Sequence, residues 1–278
     1  MSAIIIDGKK VAQQHLEHLA QTIAHQKVTP GLVVIQLGND PASSVYVNNK
    51  IKKCRAVGIN PIHEHLPETT SQTQLIHLIQ QYNQNHQIHG ILVQLPLPDH
   101  IDINTILSTI DPTKDVDGFH PINFGHLAQG SPLFIPCTPK GIMMLLQQYT
   151  SIKGKLATII GASTIVGRPV AFTLLNEKAT PVICHSQTPN LPEIVHQSDI
   201  VIAAAGQANL VKSDWLAPNT TVIDVGINRQ NDGQLIGDVA FDAREKVAAI
   251  TPVPGGVGPM TIAMLLDNTW QAYQQQTQ

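Results

Sequence analysis

Short apolar runs alternate with amphipathic stretches along the first hundred residues, and this alternation is the main structural signal in the chain. Residues 3–6 predict a short strand. Residues 9–25 predict a helix, because Val11, Leu16, Leu19 and Ile23 recur at helical spacing. Leu32-Val-Val-Ile35, after Pro30-Gly31, has the unbroken apolar character of a strand buried on both faces. A helix over 42–57 should close at Gly58, a residue suited to a left-handed cap. A strand over 61–66, a helix over 71–82 with Ser71 as N-cap, and a strand over 88–93 complete the first series. Strands alternating with helices imply right-handed βαβ units and a mostly parallel sheet.

Residues 111–139 are rich in Pro, Gly and Asp and show no period, so they are expected to connect two domains. After a short helix over 140–149 the alternation restarts. Strands are predicted over 156–160, 181–185, 200–204 and 221–225, with a helix from Arg168. A final helix over 260–273 is long enough to return to the first domain, and the Gln-rich tail 271–278 is expected to fray. A length of 278 residues also suits two domains. The expected fold is therefore α/β. One α/β domain spans 1–137 together with 260–278, and a Rossmann dinucleotide-binding domain spans 138–259.

Composition narrows the partners. Charged residues make up 13% of the chain and the formal net charge is -3, which gives neither a basic field for nucleic acid nor a polybasic membrane patch. No apolar run approaches the roughly 20 residues that span a bilayer. The Ile run before Asp7 is too short for a signal-peptide core. Cys54, Cys137 and Cys184 are widely spaced without a CxxC and suggest free, buried thiols in a reducing compartment, so the cytoplasm is the expected location. His63-Glu64-His65 would put two imidazoles on one side of a strand and Glu64 on the other, with no third ligand at a suitable spacing, so no metal is expected. His120 and His126 are expected to face solvent.

The candidate chemistry begins at Leu156-Ala-Thr-Ile-Ile160, which runs into Gly161-Ala-Ser-Thr-Ile-Val-Gly167 and then a helix. A strand, a tight glycine turn and a helix N-terminus aim backbone N–H groups at a pyrophosphate. The match to GxGxxG is imperfect: Ser163 stands where the second glycine belongs and Gly167 comes one residue late. By itself the loop is equally a structural turn. At the end of the second strand, Cys184-His-Ser-Gln-Thr188 carries no acid. A carboxylate there would oppose a 2′-phosphate by on the order of 4 kcal/mol at about 4 Å and an effective dielectric near 20. Its absence, with Ser186 as a donor, leans toward NADP over NAD; the alternative is that Ser186 only opens a turn.

Tyr46 and Lys50 share one helical face, about one turn apart. The same Tyr-x-x-x-Lys spacing serves short-chain dehydrogenases, but those carry the dinucleotide loop first, and here it follows by more than a hundred residues. The remaining alternative is an exposed pair snorkelling from a surface helix. Gln94, at the end of the strand over 88–93, stands where open α/β sheets bind ligands. Asp117 lies in Lys114-Asp-Val-Asp-Gly118, and Pro252-Val-Pro-Gly-Gly-Val-Gly-Pro-Met260 is a stiff turn where backbone can approach a ligand.

Seven ordered segments then resemble one family. They are Tyr46-Val-Asn-Asn-Lys50 with Cys54, Gly90-Ile-Leu-Val-Gln-Leu-Pro-Leu-Pro98, Lys114-Asp-Val-Asp-Gly-Phe119, Thr138-Pro139, Gly161-Ala-Ser163, Asp224-Val-Gly-Ile-Asn228 and Thr251-Pro-Val-Pro-Gly-Gly-Val-Gly-Pro-Met-Thr261. Nearly the whole chain is similar to the bifunctional methylenetetrahydrofolate dehydrogenase/methenyltetrahydrofolate cyclohydrolases of one-carbon metabolism. The resemblance implies that Lys50 handles protons, that Tyr46 flanks the folate and orders Lys50, and that Gln94 hydrogen-bonds the lysine. It implies that Asp117 accepts from the pterin and that Val93, Leu95, Pro254, Gly255 and Gly256 contact the folate. It also implies cofactor contacts at Thr138, Gly161, Ala162, Ser163, Arg168, Ser186 and Ile227, and a homodimer formed through the second domain. Many members carry Arg in place of Ala162, and some in place of Ser186, and losing both arginines weakens the phosphate clamp here; Arg168 either compensates or serves its helix. A monofunctional two-domain dehydrogenase of another small substrate, as in shikimate dehydrogenases, and a folate-binding protein without catalysis are the alternatives.

Overall fold

The structure, a computed structural model, describes residues 3–230 and 232–277. The chain forms two compact units. The first contains Gln14–His126, Pro132–Cys137 and Ile262–Gln278; the second contains Met1–Gln13, Leu127–Ser131 and Thr138–Thr261.

The first unit is built on a parallel sheet in which β2 (Gly31–Leu37) lies between β3 (Asn60–Leu66) and β4 (Gly90–Val93). Every residue of β2 is buried, as its unbroken apolar run requires. Helix α1 (Gly8–Ala24) precedes this sheet in the chain. Helix α2 (Pro41–Val57) links β2 to β3, and its ends match local chemistry. The Asp40 side chain accepts from Ser43 N, Pro41 occupies the first turn, and Gly58 closes the helix at φ 86°. Helix α3 (Gln72–Gln84) starts with a capping box between Ser71 and Gln74. Because β3 and β4 flank β2 on opposite sides, the chain reverses between β2 and β4. Ligands bind outside the C-terminal strand ends at such a switch point.

The segment over 111–139 is more than a connection. Helix α4 (Ile103–Thr109) precedes it, capped by Asp102. Ile91 N then donates to Lys114 O at 2.8 Å, and Asp115 forms a parallel bridge with Ile91. Helix α5 (Pro121–Ala128) follows, and α6 (Cys137–Tyr149) begins three residues earlier than its apolar period suggests. Pattern missed α5 because eight residues give barely two periods. His120, expected at the surface, is 6% exposed: Nδ1 accepts from Ile122 N and Nε2 lies 3.3 Å from Ser108 O. His126 is exposed.

The tail also differs from expectation. Helix α9 (Val257–Gln276) stays regular because its glutamines find backbone partners. Gln271 Nε2 donates to Leu133 O, and Gln276 Nε2 donates to His89 O and Thr113 O at 2.9 and 3.1 Å.

The second unit carries a six-stranded, wholly parallel sheet. Its strands are β1 (Ile4–Ile5), β5 (Leu156–Ile160), β6 (Thr180–Cys184), β7 (Ile200–Ala203), β8 (Thr221–Asp224) and β11 (Ala249–Ile250), in the order β1-β11-β8-β7-β5-β6. Helix α7 (Gly167–Asn176) links β5 to β6, and α8 (Leu191–His196) links β6 to β7. A short antiparallel ribbon, β9 (Asn228–Arg229) with β10 (Leu235–Ile236), projects after β8. The switch point of this Rossmann-type sheet lies between β5 and β7. Pairing of β1 with β11 places the amino-terminal residues in this unit, whereas the sequence pattern assigns them to the other domain. Among the described residues, no helix is long and apolar enough to cross a membrane.

Candidate active site

Helical spacing sets Tyr46, Lys50 and Cys54 on one face of α2, with exposure falling from 36% to 8% to 0% along it. Lys50 is thus a buried amine reaching inward, and a snorkelling surface role does not fit. Its Nζ donates to Gln94 Oε1 at 2.9 Å. Gln94 follows β4 directly, and its backbone N donates to Ile35 O. Its Nε2 donates to Leu95 O at 2.6 Å. That second bond commits the amide, so Gln94 serves Lys50 as an acceptor. Both an ammonium and a neutral amine retain an N–H for this bond. Burial raises the Tyr46 phenol above its usual range and pushes the Cys54 thiol up to about 12.

Asp117 is set at the same strand ends by the segment that bridges β4. Its partly buried carboxyl is pushed up to about 6, mainly by burial and further by Asp115, against the pull of Lys50. The Cys137 thiol donates to Val116 O at 3.3 Å and reaches Asp117 Oδ1 at 3.6 Å. Val93 is buried beside Gln94, and Leu95 is half-buried. Lys50, Gln94, Asp117, Val93 and Leu95 therefore gather at one end of one sheet.

Sequence reasoning missed what holds Asp117 there. The buried Asp115 carboxylate accepts from Phe119 N, His120 N and Asn123 Nδ2. From α9, the fully buried Asn268 donates through Nδ2 to Val116 O and Ile135 O at 2.9 and 3.0 Å. A polar residue on the apolar side of Ala263-Met-Leu-Leu-Asp-Asn268 was its only signal in the sequence. Asn268→Leu should therefore cost about 1–2 kcal/mol, since it leaves Ile135 O without this donor and Val116 O with only the weak Cys137 thiol. Urea unfolding measures this, and an unchanged midpoint would contradict it.

Among the described residues no group of three or more His, Cys, Asp or Glu is placed to hold an ion. His63 and His65 stack with ring centroids 5.5 Å apart, and Glu64 turns away to accept from the Tyr82 hydroxyl.

In the second unit, Gly161 follows β5 at φ 124°, where an added Cβ would stand 2.1 Å from Ala204 O. A Cβ on Gly167 would stand 1.8 Å from Gly161 O. The loop thus folds tightly onto the switch point and opens α7, a cradle that fits a pyrophosphate. Ser163 Oγ accepts from Val166 N and Gly167 N, so this serine does within the turn what a glycine would do by flexibility. Arg168 is exposed, and its Nε donates to Ala162 O, bracing the loop. Ser186 is exposed in the turn after β6, and Ile227 is 52% exposed after β8. Thr138 shares a 2.9 Å hydrogen bond with Thr261. Pro254, Gly255 and Gly256 belong to this unit as well; Gly255 O accepts from Lys9 N at 2.9 Å.

Known proteins carry the same two parts in the same order. Residues 6–117 match the tetrahydrofolate dehydrogenase/cyclohydrolase catalytic domain, and residues 136–277 match the NAD(P)-binding domain of that family. The bifunctional protein FolD of Neisseria gonorrhoeae is 52% identical, with 98% of each chain covered. The FolD methylenetetrahydrofolate dehydrogenase/cyclohydrolase of Campylobacter jejuni is 47% identical with a TM-score of 0.96 over 99% of each chain. The Trypanosoma brucei enzyme, solved with NADP cofactor and inhibitor, is 40% identical with a TM-score of 0.94, covering 99% of this chain and 98% of that one. With a buried lysine and its glutamine at the end of one sheet, a tight glycine cradle at the end of the other, and both family domains matched, the chain belongs to the tetrahydrofolate dehydrogenase/cyclohydrolase family.

Proposed function

We propose that this enzyme oxidises 5,10-methylenetetrahydrofolate with NADP and hydrolyses the methenyl product to 10-formyltetrahydrofolate, with Lys50 moving the protons of the hydrolysis. The observation that carries the assignment is the bond from the buried Lys50 Nζ to Gln94 Oε1. Gln94 takes one N–H and leaves the rest of the amine for the substrate. In the hydrolysis, water adds to the cationic methenyl carbon and the bond from that carbon to N5 breaks. One of water's protons ends on N5 and the other leaves to solvent. Lys50 takes a proton from oxygen and returns one to nitrogen, general acid–base work worth about 10²–10⁴-fold. Asp117, ionised above about pH 6, accepts from the pterin amide and amino groups. Tyr46 flanks the folate on the same helix face, beside Val93 and Leu95. Pro254, Gly255 and Gly256 join the folate set on the resemblance of their motif.

When bound, the nicotinamide supplies a hydride acceptor. Ala162 and Ser163 would receive the pyrophosphate on backbone N–H groups, while Gly161, whose own N donates to Cys184 O, would supply the tight turn that lets it approach. Arg168 would keep the loop in shape, and Thr138, Ser186 and Ile227 would complete the contacts. The acid-free turn at Ser186 supports NADP over NAD. A homodimer formed through the second unit and a cytoplasmic location complete the reading; three buried cysteines outside any disulfide suit a reducing compartment.

Supplying methylenetetrahydrofolate with NADP, and separately with NAD at equal concentration, tests this directly. Both methenyl and 10-formyl products should form above the uncatalysed rate, and faster with NADP. Methenyl accumulation without enzymatic hydrolysis would remove the cyclohydrolase half of the reading, and a clear NAD preference would overturn the reading of Ser186.

A further inference from the structure

Beyond the glycine cradle, the second unit contains two buried carboxylates held by neutral amide N–H donors among the described residues. Asp238 is 0% exposed and follows β10. Its Oδ2 accepts from two successive backbone N–H groups, Ala205 at 2.7 Å and Gly206 at 2.8 Å. Its Oδ1 accepts from Asn228 Nδ2 at 2.9 Å. Asp224, 4% exposed at the end of β8, accepts from Gly226 N, Asp238 N and Val239 N.

These bonds tie together the loops that leave β7 and β8. Paired N–H groups, with Gly206 at φ 65°, make an anion-binding concavity. Here a side chain of the protein fills it, so this loop has no anion site left for a ligand. Space is as restricted as bonding. A Cβ on Gly226 would stand 2.3 Å from Asp238 Oδ1, and one on Gly237 would stand 1.8 Å from Asp224 Oδ2. Ile227 is therefore held between a glycine that admits no side chain and an asparagine bonded to Asp238. It remains 52% exposed at the C-terminal edge of the sheet. On the other side, Ala204 O is the atom that a Cβ added to Gly161 would meet first.

We infer that Asp238 is a positioning residue for the dinucleotide: its carboxylate locks the loops after β7 and β8 so that Ile227 and the Gly161 turn keep a binding-competent shape. The inference rests on the dinucleotide-binding role proposed for this unit. Asp238 touches no ligand itself. Charge-assisted bonds to backbone N–H groups are about twice as strong as neutral ones, and a single carboxylate supplies three bonds here.

The test uses the full-length enzyme with Asp238→Asn. NADPH affinity is read from nicotinamide fluorescence, dehydrogenase KM and kcat from initial rates, and cyclohydrolase rate with methenyltetrahydrofolate and no dinucleotide. The expected result is a rise of about tenfold or more in the NADPH Kd and in KM for NADP, with cyclohydrolase within about twofold of wild type. Exchanging the pair, Asp238→Asn with Asn228→Asp, should recover part of the lost affinity because it restores one carboxylate–amide bond. A folded variant with unchanged Kd, or one losing both activities in parallel, would overturn the positioning role. If Asp238→Asn does not fold, Asn228→Ala decides in its place, with a rise of about threefold in Kd expected and no change overturning the inference. Wild-type enzyme that fails to bind NADPH would instead sink the functional reading of the unit.

Discussion

Replacing Lys50 with methionine is expected to lower cyclohydrolase turnover by about 10³-fold or more while the folate still binds. Methionine keeps the length and apolar stem of the side chain, so α2 and the packing around Cys54 should survive. What disappears is the Nζ group that donates to Gln94 Oε1 and exchanges protons with the substrate. Gln94 keeps its bond to Leu95 O and stays in place. Hydride transfer needs no proton, so the dehydrogenase rate should fall far less than the hydrolytic rate. Stopped-flow following of methenyl absorbance separates the two steps. Near-wild-type hydrolysis in Lys50→Met would remove Lys50 from its assigned role, and lost folate binding would recast it as a substrate contact.

The second large effect concerns Asp117 and has opposite signs for stability and activity. Burial pushes its carboxyl from 3.8 to about 6. Below about pH 4 the group is protonated in the folded and unfolded chain alike and contributes no difference. Between about pH 4 and pH 6 the unfolded chain ionises while the folded chain keeps its proton, so stability falls as pH rises. Above about pH 6 the full cost persists, on the order of 1–3 kcal/mol. Asp117→Asn should therefore raise stability by about 1–3 kcal/mol at pH 8, and the gain should vanish near pH 4. Asp224 is also pushed up to about 6 and contributes with the same sign, but it is common to both proteins and cancels in the comparison. The same substitution should raise KM for folate by about tenfold or more, because the amide offers one uncharged accepting oxygen where the carboxylate offers two charged ones, and its NH2 opposes a pterin N–H. Urea unfolding at the two pH values and steady-state kinetics read both effects. A variant less stable than wild type at pH 8 would mean that Lys50 outweighs burial at this carboxyl.

That an enzyme keeps a costly ionised group at Asp117 fits a site built for ligand recognition, and the sequence made the residue itself visible. Its motif, like those of Lys50 and Gln94, lies in a short stretch where residue identity matters more than surroundings. Local rules also located β5, the Gly58 cap and the Ser71 N-cap, because strand runs and helix ends depend on neighbours within four residues. Long-range partners were not legible. Nothing near Ile4 and Ile5 shows that they pair with Ala249 and Ile250. Asn268 meets Val116 across a large sequence separation, and Asp238 meets Ala205 through a ribbon too short to show a period. Helix α5 escaped for a related reason: of its eight residues only Asn123 and Leu127 are buried, so it carries almost no apolar stripe. The committed amide of Gln94 was hidden as well, since its orientation depends on the carbonyl of the next residue.

The pairing of β1 with β11 also sets a clock on biosynthesis. Ile4 is made about 245 residues before its neighbour Ala249, roughly 12–50 s earlier at 5–20 residues per second. Through that interval the apolar Ile4-Ile5 pair has no strand to join, although the first unit's sheet is already complete once Val93 has emerged. Edge closure of the dinucleotide sheet is thus a late event in the life of the nascent chain.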